Sequence, residues 1–320
     1  VYMHKEETAP LMGSGRPFPK LSWRRRHKVV AAALCAAATL VLPAVLHEAE
    51  EHVHAAGSSS AAADALLPPP EEALRRATHL VVVAGHAVFT ALDHGGGAVE
   101  REASWFLEPF QHGQLTTMIE HIHKGVELAA ADNRSLVLFS GGQTRAAAGP
   151  RSEALSYWEA AEAEGWFGLP QVQPRVHLEE QARDSLENLL FSVCRFNELT
   201  GRYPQTITVV SFGFKRRRFQ ELHRAALRFP RHRFHFVGVD PPGLTAAVTQ
   251  GETAHSAKPF ESDPYGCHDA GLRAKREARN PFRRTVSYPL GCPALAPLIS
   301  QCLRLPYSGP LPWDGWAAPR

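Results

Sequence analysis

The chain has 320 residues, with 35 Lys and Arg against 32 Asp and Glu, a formal charge of +3 with histidines neutral. So small an excess, without zinc-finger spacing or an RNA-binding signature, excludes general nucleic-acid binding, and 21% charged residues is ordinary for a globular protein. The 17 histidines contain no H-x-x-x-H pair with a third ligand, so they read as solvated or capping side chains and no metal site is assigned to them.

Residues 1–28 read as a disordered, basic cytosolic tail, ending in Arg24, Arg25, Arg26 and Lys28. Val29 to Leu46 is an uncharged run of 18 residues that would span roughly 27 Å as a helix, enough for a thin bilayer. Seven Lys or Arg precede it, whereas His47 to Glu72 carries six acids and no Lys or Arg. That asymmetry predicts a signal anchor with its amino end in the cytosol and a lumenal domain in the Golgi or endoplasmic reticulum. A cleaved signal peptide and a buried soluble helix are the alternatives; the long leader argues against the first, while Pro43 and the many alanines weaken the anchor. Residues 47–70, with Gly57-Ser-Ser-Ser60 and Pro68-Pro-Pro70, read as a flexible stalk.

From residue 71 to 245 short apolar runs alternate with helical periodicity. Strands are predicted at His79–Ala84, Ser135–Ser140, Arg175–Leu178, Thr206–Phe212 and Arg233–Val239. Helices are predicted around Leu115–Val126 and over Arg151–Gly165, Asp184–Leu199 and Lys215–Arg228. This alternation predicts an α/β fold: a doubly wound, mostly parallel, Rossmann-like sheet with helices on both faces, preceded by one transmembrane helix. Residues 246–320 are expected to pack on it as an extension.

In such sheets ligands sit beyond the carboxyl ends of the strands. Four of these ends carry candidate residues: Gly85-His86, Ser140-Gly141-Gly142-Gln143-Thr144-Arg145, Glu179-Glu180 followed by Asp184-Ser185-x-Glu187-Asn188, and Ser211 followed by Lys215-Arg216-Arg217-Arg218. The two glycines of the second end would let backbone N–H groups approach an anion, though a tight turn explains them equally. The crowded acids of the third could raise a pKa for a general base or hold a divalent metal through oxygen, while Asp184 or Ser185 could simply cap a helix. Four consecutive cations at a helix start call for an anion nearby, unless they are merely solvated. No Walker A loop, G-x-S-x-G elbow or G-x-G-x-x-G fingerprint occurs.

Of five cysteines, Cys35 falls in the apolar run, where it reads as packed or palmitoylated. The other four could form two disulfides on a lumenal side; a bridge is expected among Cys267, Cys292 and Cys302, with Cys194 a free core residue on a helix face. Asn133-Arg134-Ser135 is a glycosylation sequon and a test of lumenal exposure.

Taken in order, Ser140-Gly141-Gly142, Ser152-Glu153-Ala154, the acid at 179 or 180, Ser185-x-Glu187-Asn188, and Ser211 with an Arg at 217 or 218 resemble the domain of unknown function 218 family (the YdcF/SanA/ElyC-like proteins). Lys275 to Phe282, with Tyr288, Cys292-Pro293 and Leu311-Pro-Trp313, resembles its plant and fungal branch, many members of which carry one transmembrane segment. The resemblance implies a Rossmann-like domain with a polar cleft and adds Glu153 to the ligand-binding set. It implies S-adenosylmethionine binding in one group and envelope polysaccharide or lipid-carrier roles in others. The chain departs from the bacterial pattern at Gly85-His86-Ala87 and at Phe214-Lys215, where a His normally follows the fourth strand.

These observations predict that the chain binds an anionic, phosphorylated or nucleotide-like small molecule. Glu180, Asp184 and Glu187 are the candidate catalytic residues of a hydrolase or transferase of phosphorylated glycan or lipid-linked sugar. The candidate ligand-binding residues are Gly85, His86, Ser140, Gly141, Gly142, Thr144, Arg145, Glu153, Ser185, Asn188, Ser211, Lys215, Arg217 and Arg218. The alternative is a non-catalytic ligand-binding or scaffold module.

Overall fold

Five apolar runs of the sequence become the strands of one parallel sheet: β1 (His79–Ala84), β4 (Ser135–Ser140), β5 (Val176–Glu179), β6 (Thr206–Ser211) and β7 (Phe234–Gly238). A two-stranded antiparallel ribbon, β2 (Val88–Phe89) with β3 (Trp105–Phe106), lies outside it. The computed structural model describes residues 70–95 and 97–315. The expected tail, anchor and all but the last residue of the expected stalk lie outside those residues. Among the described residues no helix is long and apolar enough to cross a membrane.

The strand order is β5-β4-β1-β6-β7, with Leu80 level with Leu136 on one side and Ile207 on the other. The period of two then sorts the side chains. Leu80, Val82, Leu136, Leu138, Ile207 and Val209 face one core, and Val81, Val83, Val137, Phe139 and Val210 face the other. Burial on both faces is why the inner strands β1, β4 and β6 are mostly apolar rather than alternating, whereas edge strand β7 alternates, with His235 exposed between buried Phe234 and Phe236.

Helices α2 (Leu115–Ala131) and α3 (Glu153–Ala163) cover the second core, after the short α1 (Pro70–Arg76) leads into the domain. Helix α4 (Ser185–Thr200) crosses the first core and returns the chain from β5, at the sheet edge, to β6 beside β1. Between β1 and β6 the connections therefore leave toward opposite faces, the position where open α/β sheets form a crevice. Asp184 caps α4 by accepting from the Glu187 N–H at 2.9 Å, and Gly201 closes it in a left-handed conformation.

The expected basic helix is subdivided: a 3-10 turn (Gly213–Lys215), a π-helical turn (Arg218–His223) and α5 (Arg224–Ala226). The four cations consequently diverge. Arg216 packs over the Phe236 ring and donates to its carbonyl, Arg217 pairs with Glu261, and Lys215 and Arg218 turn inward.

Beyond residue 245 come α6 (Ala246–Glu252), a π-helical turn (Thr253–Ala257), α7 (Lys258–Ser262), α8 (Ala270–Ala278) and α9 (Ala296–Ile299). Phe260, Tyr265, Leu272, Leu295, Leu298 and Trp313 from this stretch are buried in the first core. Two disulfides fasten it, Cys194–Cys292 and Cys267–Cys302, with Cα separations of 5.3 and 5.6 Å. Cys194 is buried on the apolar face of α4 but is not free: the extension packs on that face and brings Cys292 to it.

Candidate functional site

The ends of β1, β4, β5 and β6 open into a cavity of about 800 Å³, roofed by residues of the extension and within the usual size range of small-molecule sites. Gly85 follows β1 and Gly141 follows β4, and both press against the first residue of α3. A Cβ on Gly85 would lie 2.6 Å from the Cβ of Glu153, and one on Gly141 2.8 Å from it. The glycines therefore seat α3 rather than cradle an anion. Their N–H groups are already used: Gly85 donates to Ser140 O, Gly141 to Glu179 O and Gly142 to Ala182 O, at 2.7 to 3.0 Å. The carbonyls of Gly142 and Gly141 accept from the Glu153 and Ala154 N–H groups, which closes the amino end of α3 as well.

The carboxylates at the cavity are engaged. Asp184 pairs with Arg276 at 2.6 Å, Glu252 with Arg218 at 3.1 Å and Glu108 with Arg145 at 3.4 Å, while Thr144 donates its hydroxyl to Glu153. Burial opposes the charge on Asp184, but Arg276 and the Glu187 N–H outweigh it, so its pKa is lowered. Glu187 is raised by burial and by Asp184, and is held by Arg183 at 2.6 Å and Arg276 at 3.3 Å.

The cations are not all matched. Lys215, Lys275 and Arg279 line the cavity, and among the described residues none has a carboxylate within the 4.0 Å of an ion pair. Lys275 donates to His255 O and Arg279 to Arg183 O, at 3.1 Å each, which satisfies hydrogen bonds without neutralising charge. Burial lowers the pKa of Lys275 and of Arg279; Arg279 and Arg218 lower Lys275 further, while Glu153 partly offsets the burial of Arg279. Lys215 is pushed down to about 7, by burial first and then by Arg218. Its Nζ lies 3.4 Å from His86 Nδ1 and 4.9 Å above the Phe212 ring. His86 stacks on Phe212 with centroids 4.8 Å apart, its Nε2 is 3.2 Å from Ser211 Oγ, and burial and Lys215 keep it neutral.

The candidate residues divide accordingly. Gly85, His86, Thr144, Arg145, Glu153, Asp184, Ser185, Asn188, Lys215 and Arg218 line the cavity. Glu180, Glu187, Ser140, Gly141, Gly142, Ser211 and Arg217 do not. Glu180 accepts from Ser152 Oγ at 2.7 Å and, with Gly142, borders a separate shallow depression, because the chain turns outward directly after β5. Ser140 is fully buried and donates to Glu179 at 2.6 Å. Burial raises Glu179, behind it, to about 7. Of the three candidate catalytic carboxylates only Asp184 reaches the cavity, and it is held by Arg276.

The sequence reading missed Glu252, His255, Lys275 and Arg279. Lys275 and Arg279 stand four residues apart at the end of α8, so helical spacing already places them on one face. Phe106, Phe110, Phe212, Phe214 and Phe219 add aromatic surface, with Phe110 72% exposed at the lip. Among the described residues no group of three or more His, Cys, Asp or Glu is arranged to hold a metal ion.

No protein-family model matches the chain, and no solved structure matches it. A curated protein of Saccharomyces cerevisiae (strain ATCC 204508 / S288c), "Uncharacterized protein YOR238W", is 27% identical over 260 residues, covering 65% of this chain and 86% of that protein.

Proposed function

We propose that the chain binds an anionic small molecule, phosphorylated or nucleotide-like, in the cavity at the β1–β6 crevice. The observation that carries this reading is the convergence of Lys215, Lys275 and Arg279 without carboxylate partners. Holding Lys275 and Arg279 charged beside a partly charged Lys215 in a partly desolvated space is costly, and a bound anion would remove the cost. The phenylalanines offer stacking surface for a base or sugar, which favours a nucleotide-like ligand over free phosphate. The DUF218-like, Rossmann-like assignment, and a single-pass anchor at 29–46 with the domain in the Golgi or endoplasmic reticulum lumen, belong to the same proposal.

A second reading, a hydrolase or transferase acting on a phosphorylated glycan or lipid-linked sugar, is favoured by one feature. Lys215 beside neutral His86 can gain and lose a proton near neutral pH. In that reading Lys215, not Glu180 or Glu187, is the acid–base group.

Calorimetric titration with ADP, UDP and inorganic phosphate tests the proposal. The double variant Lys275→Met/Arg279→Met is expected to weaken nucleotide binding about 10- to 100-fold, the range for losing charge-assisted hydrogen bonds. No binding of any of the three at millimolar concentration, or unchanged affinity in a folded double variant, refutes it. Hydrolysis or transfer that disappears in Lys215→Met while binding persists would select the enzyme reading.

A further inference from the structure

Asn133 stands at the turn between α2 and β4, exposed, at the amino end of the parallel sheet. The turn is built from its neighbours: Asp132 Oδ1 accepts from the Arg134 N–H at 2.9 Å, and the Arg134 carbonyl accepts from the N–H groups of Thr78 and His79. The cavity lies at the opposite end of β4, a six-residue strand about 20 Å long. A bulky group on Asn133 would therefore meet solvent and leave the mouth of the cavity clear. Asn133-Arg134-Ser135 has the form Asn-x-Ser with x not proline, and it occurs once in the chain.

A second observation bears on the compartment. All four described cysteines are joined in two disulfides, and Cys194–Cys292 is buried between α4 and the extension. Disulfides of this kind persist in oxidising compartments, where asparagine-linked glycans are added, and are rare in the cytosol.

We infer that Asn133 is a site of N-linked glycosylation, modified from a lipid diphosphate-linked oligosaccharide as the chain enters the lumen. The Asn133 amide nitrogen forms a bond to the anomeric carbon of the oligosaccharide. The bond from that carbon to the diphosphate oxygen breaks, the lipid diphosphate leaves with the electron pair, and the amide nitrogen gives up one proton. The structure also fixes the order of events. Ser135 is fully buried, its Oγ 3.2 Å from His79 Nδ1, so the hydroxyl that completes the acceptor triplet is accessible only before β4 pairs with β1. Modification therefore precedes folding, and the finished fold leaves the glycan outside. The inference rests on the lumenal placement proposed above and not on the anionic ligand, so failure of nucleotide binding leaves it standing.

The full chain, produced in eukaryotic cells with an intact secretory pathway, is digested with a peptide N-glycosidase, which hydrolyses the amide bond between asparagine and glycan, and compared by gel mobility. One step of faster migration is expected, and Asn133→Gln should migrate with the digested wild type. Peptide mass spectrometry of the digested wild type, reading Asn133 converted to Asp, gives the same answer without a variant. Purified folded protein lacking the glycan should not be modified in vitro, whereas a reduced, unfolded sample should. No mobility step, an unconverted Asn133, or a step that persists in Asn133→Gln overturns the inference. Modification of the folded sample overturns the order of events.

Discussion

Lys215 makes ligand binding a proton-uptake reaction. Its pKa is about 7, set by burial and by Arg218 against the partial support of Glu252 and Glu153. His86, Arg218, Arg279 and Glu252 face it, and His86 stays neutral throughout. A bound phosphate would return Lys215 toward the ordinary lysine value, a difference of at most ~5 kcal/mol at about 1.4 kcal/mol per pH unit. Binding should then take up about half a proton at pH 7 and nearly a whole one at pH 8–9, and affinity should fall up to about tenfold per pH unit above 7. The assay is calorimetric titration with ADP in buffers of different ionisation enthalpy, at pH 7, 8 and 9. Lys275 is lowered as well, so the part due to Lys215 is the difference between wild type and Lys215→Met. Equal uptake in the two proteins, or no uptake in wild type that binds ADP, would show that Lys215 is not the group that answers the ligand.

Glu179→Gln should raise stability to denaturant by about 2–3 kcal/mol at pH 8 and change little at pH 4. Its folded pKa is raised to about 7, so the native state binds the extra proton and loses stability as pH climbs from the unfolded value near 4.5 through 7. Asp184→Asn should cost about 3 kcal/mol at neutral pH by leaving Arg276 with Glu187 as its one carboxylate partner among the described residues. In wild type this contribution is present above pH 3.8 and declines as acid titrates Asp184, because its folded pKa is lowered. Cys194→Ala/Cys292→Ala should lower stability by up to about 5 kcal/mol, the chain-entropy scale for a 98-residue separation, and a circular dichroism melt that does not move would contradict a formed bridge.

The sheet was legible because burial on both faces leaves a strong mark: Leu80–Ala84 and Leu136–Phe139 are uninterrupted apolar runs flanked by Gly or polar residues, and Ile207–Val210 is broken only by Thr208. Strand-end logic then led to His86, Thr144, Arg145, Asp184, Lys215 and Arg218. It failed at Glu180 and at Gly141-Gly142 because a chemistry-bearing residue type looks the same whether it faces a ligand or its own fold. Gly141 is needed for the approach of Glu153, and Glu180 faces Ser152. Cys194 illustrates the same limit. Its helical position marked it as buried but could not reveal that Cys292, 98 residues away, packs on that face. Periodicity reports which face of an element is covered, not which distant segment covers it.

That distant segment determines the character of the cavity. Without the extension, the crevice between β1 and β6 would present Lys215 and Arg218 to open solvent, where screening makes their repulsion small. Residues 246–279 add Glu252, which neutralises Arg218, and then add Lys275 and Arg279, which restore an excess of positive charge in a space they also help to dry. Such an arrangement is unfavourable for folding, and burial, more than mutual repulsion, lowers the pKa of Lys215, Lys275 and Arg279. The apolar anchors Phe260, Leu272 and Trp313 and the two disulfides hold the extension closed against that repulsion. An anion in the cavity would act in the same direction as those anchors, so the affinity of the site and the tightness of the roof are one coupled quantity. Ligand at a hundred times its Kd should accordingly add about 2.7 kcal/mol to the stability of the whole unit.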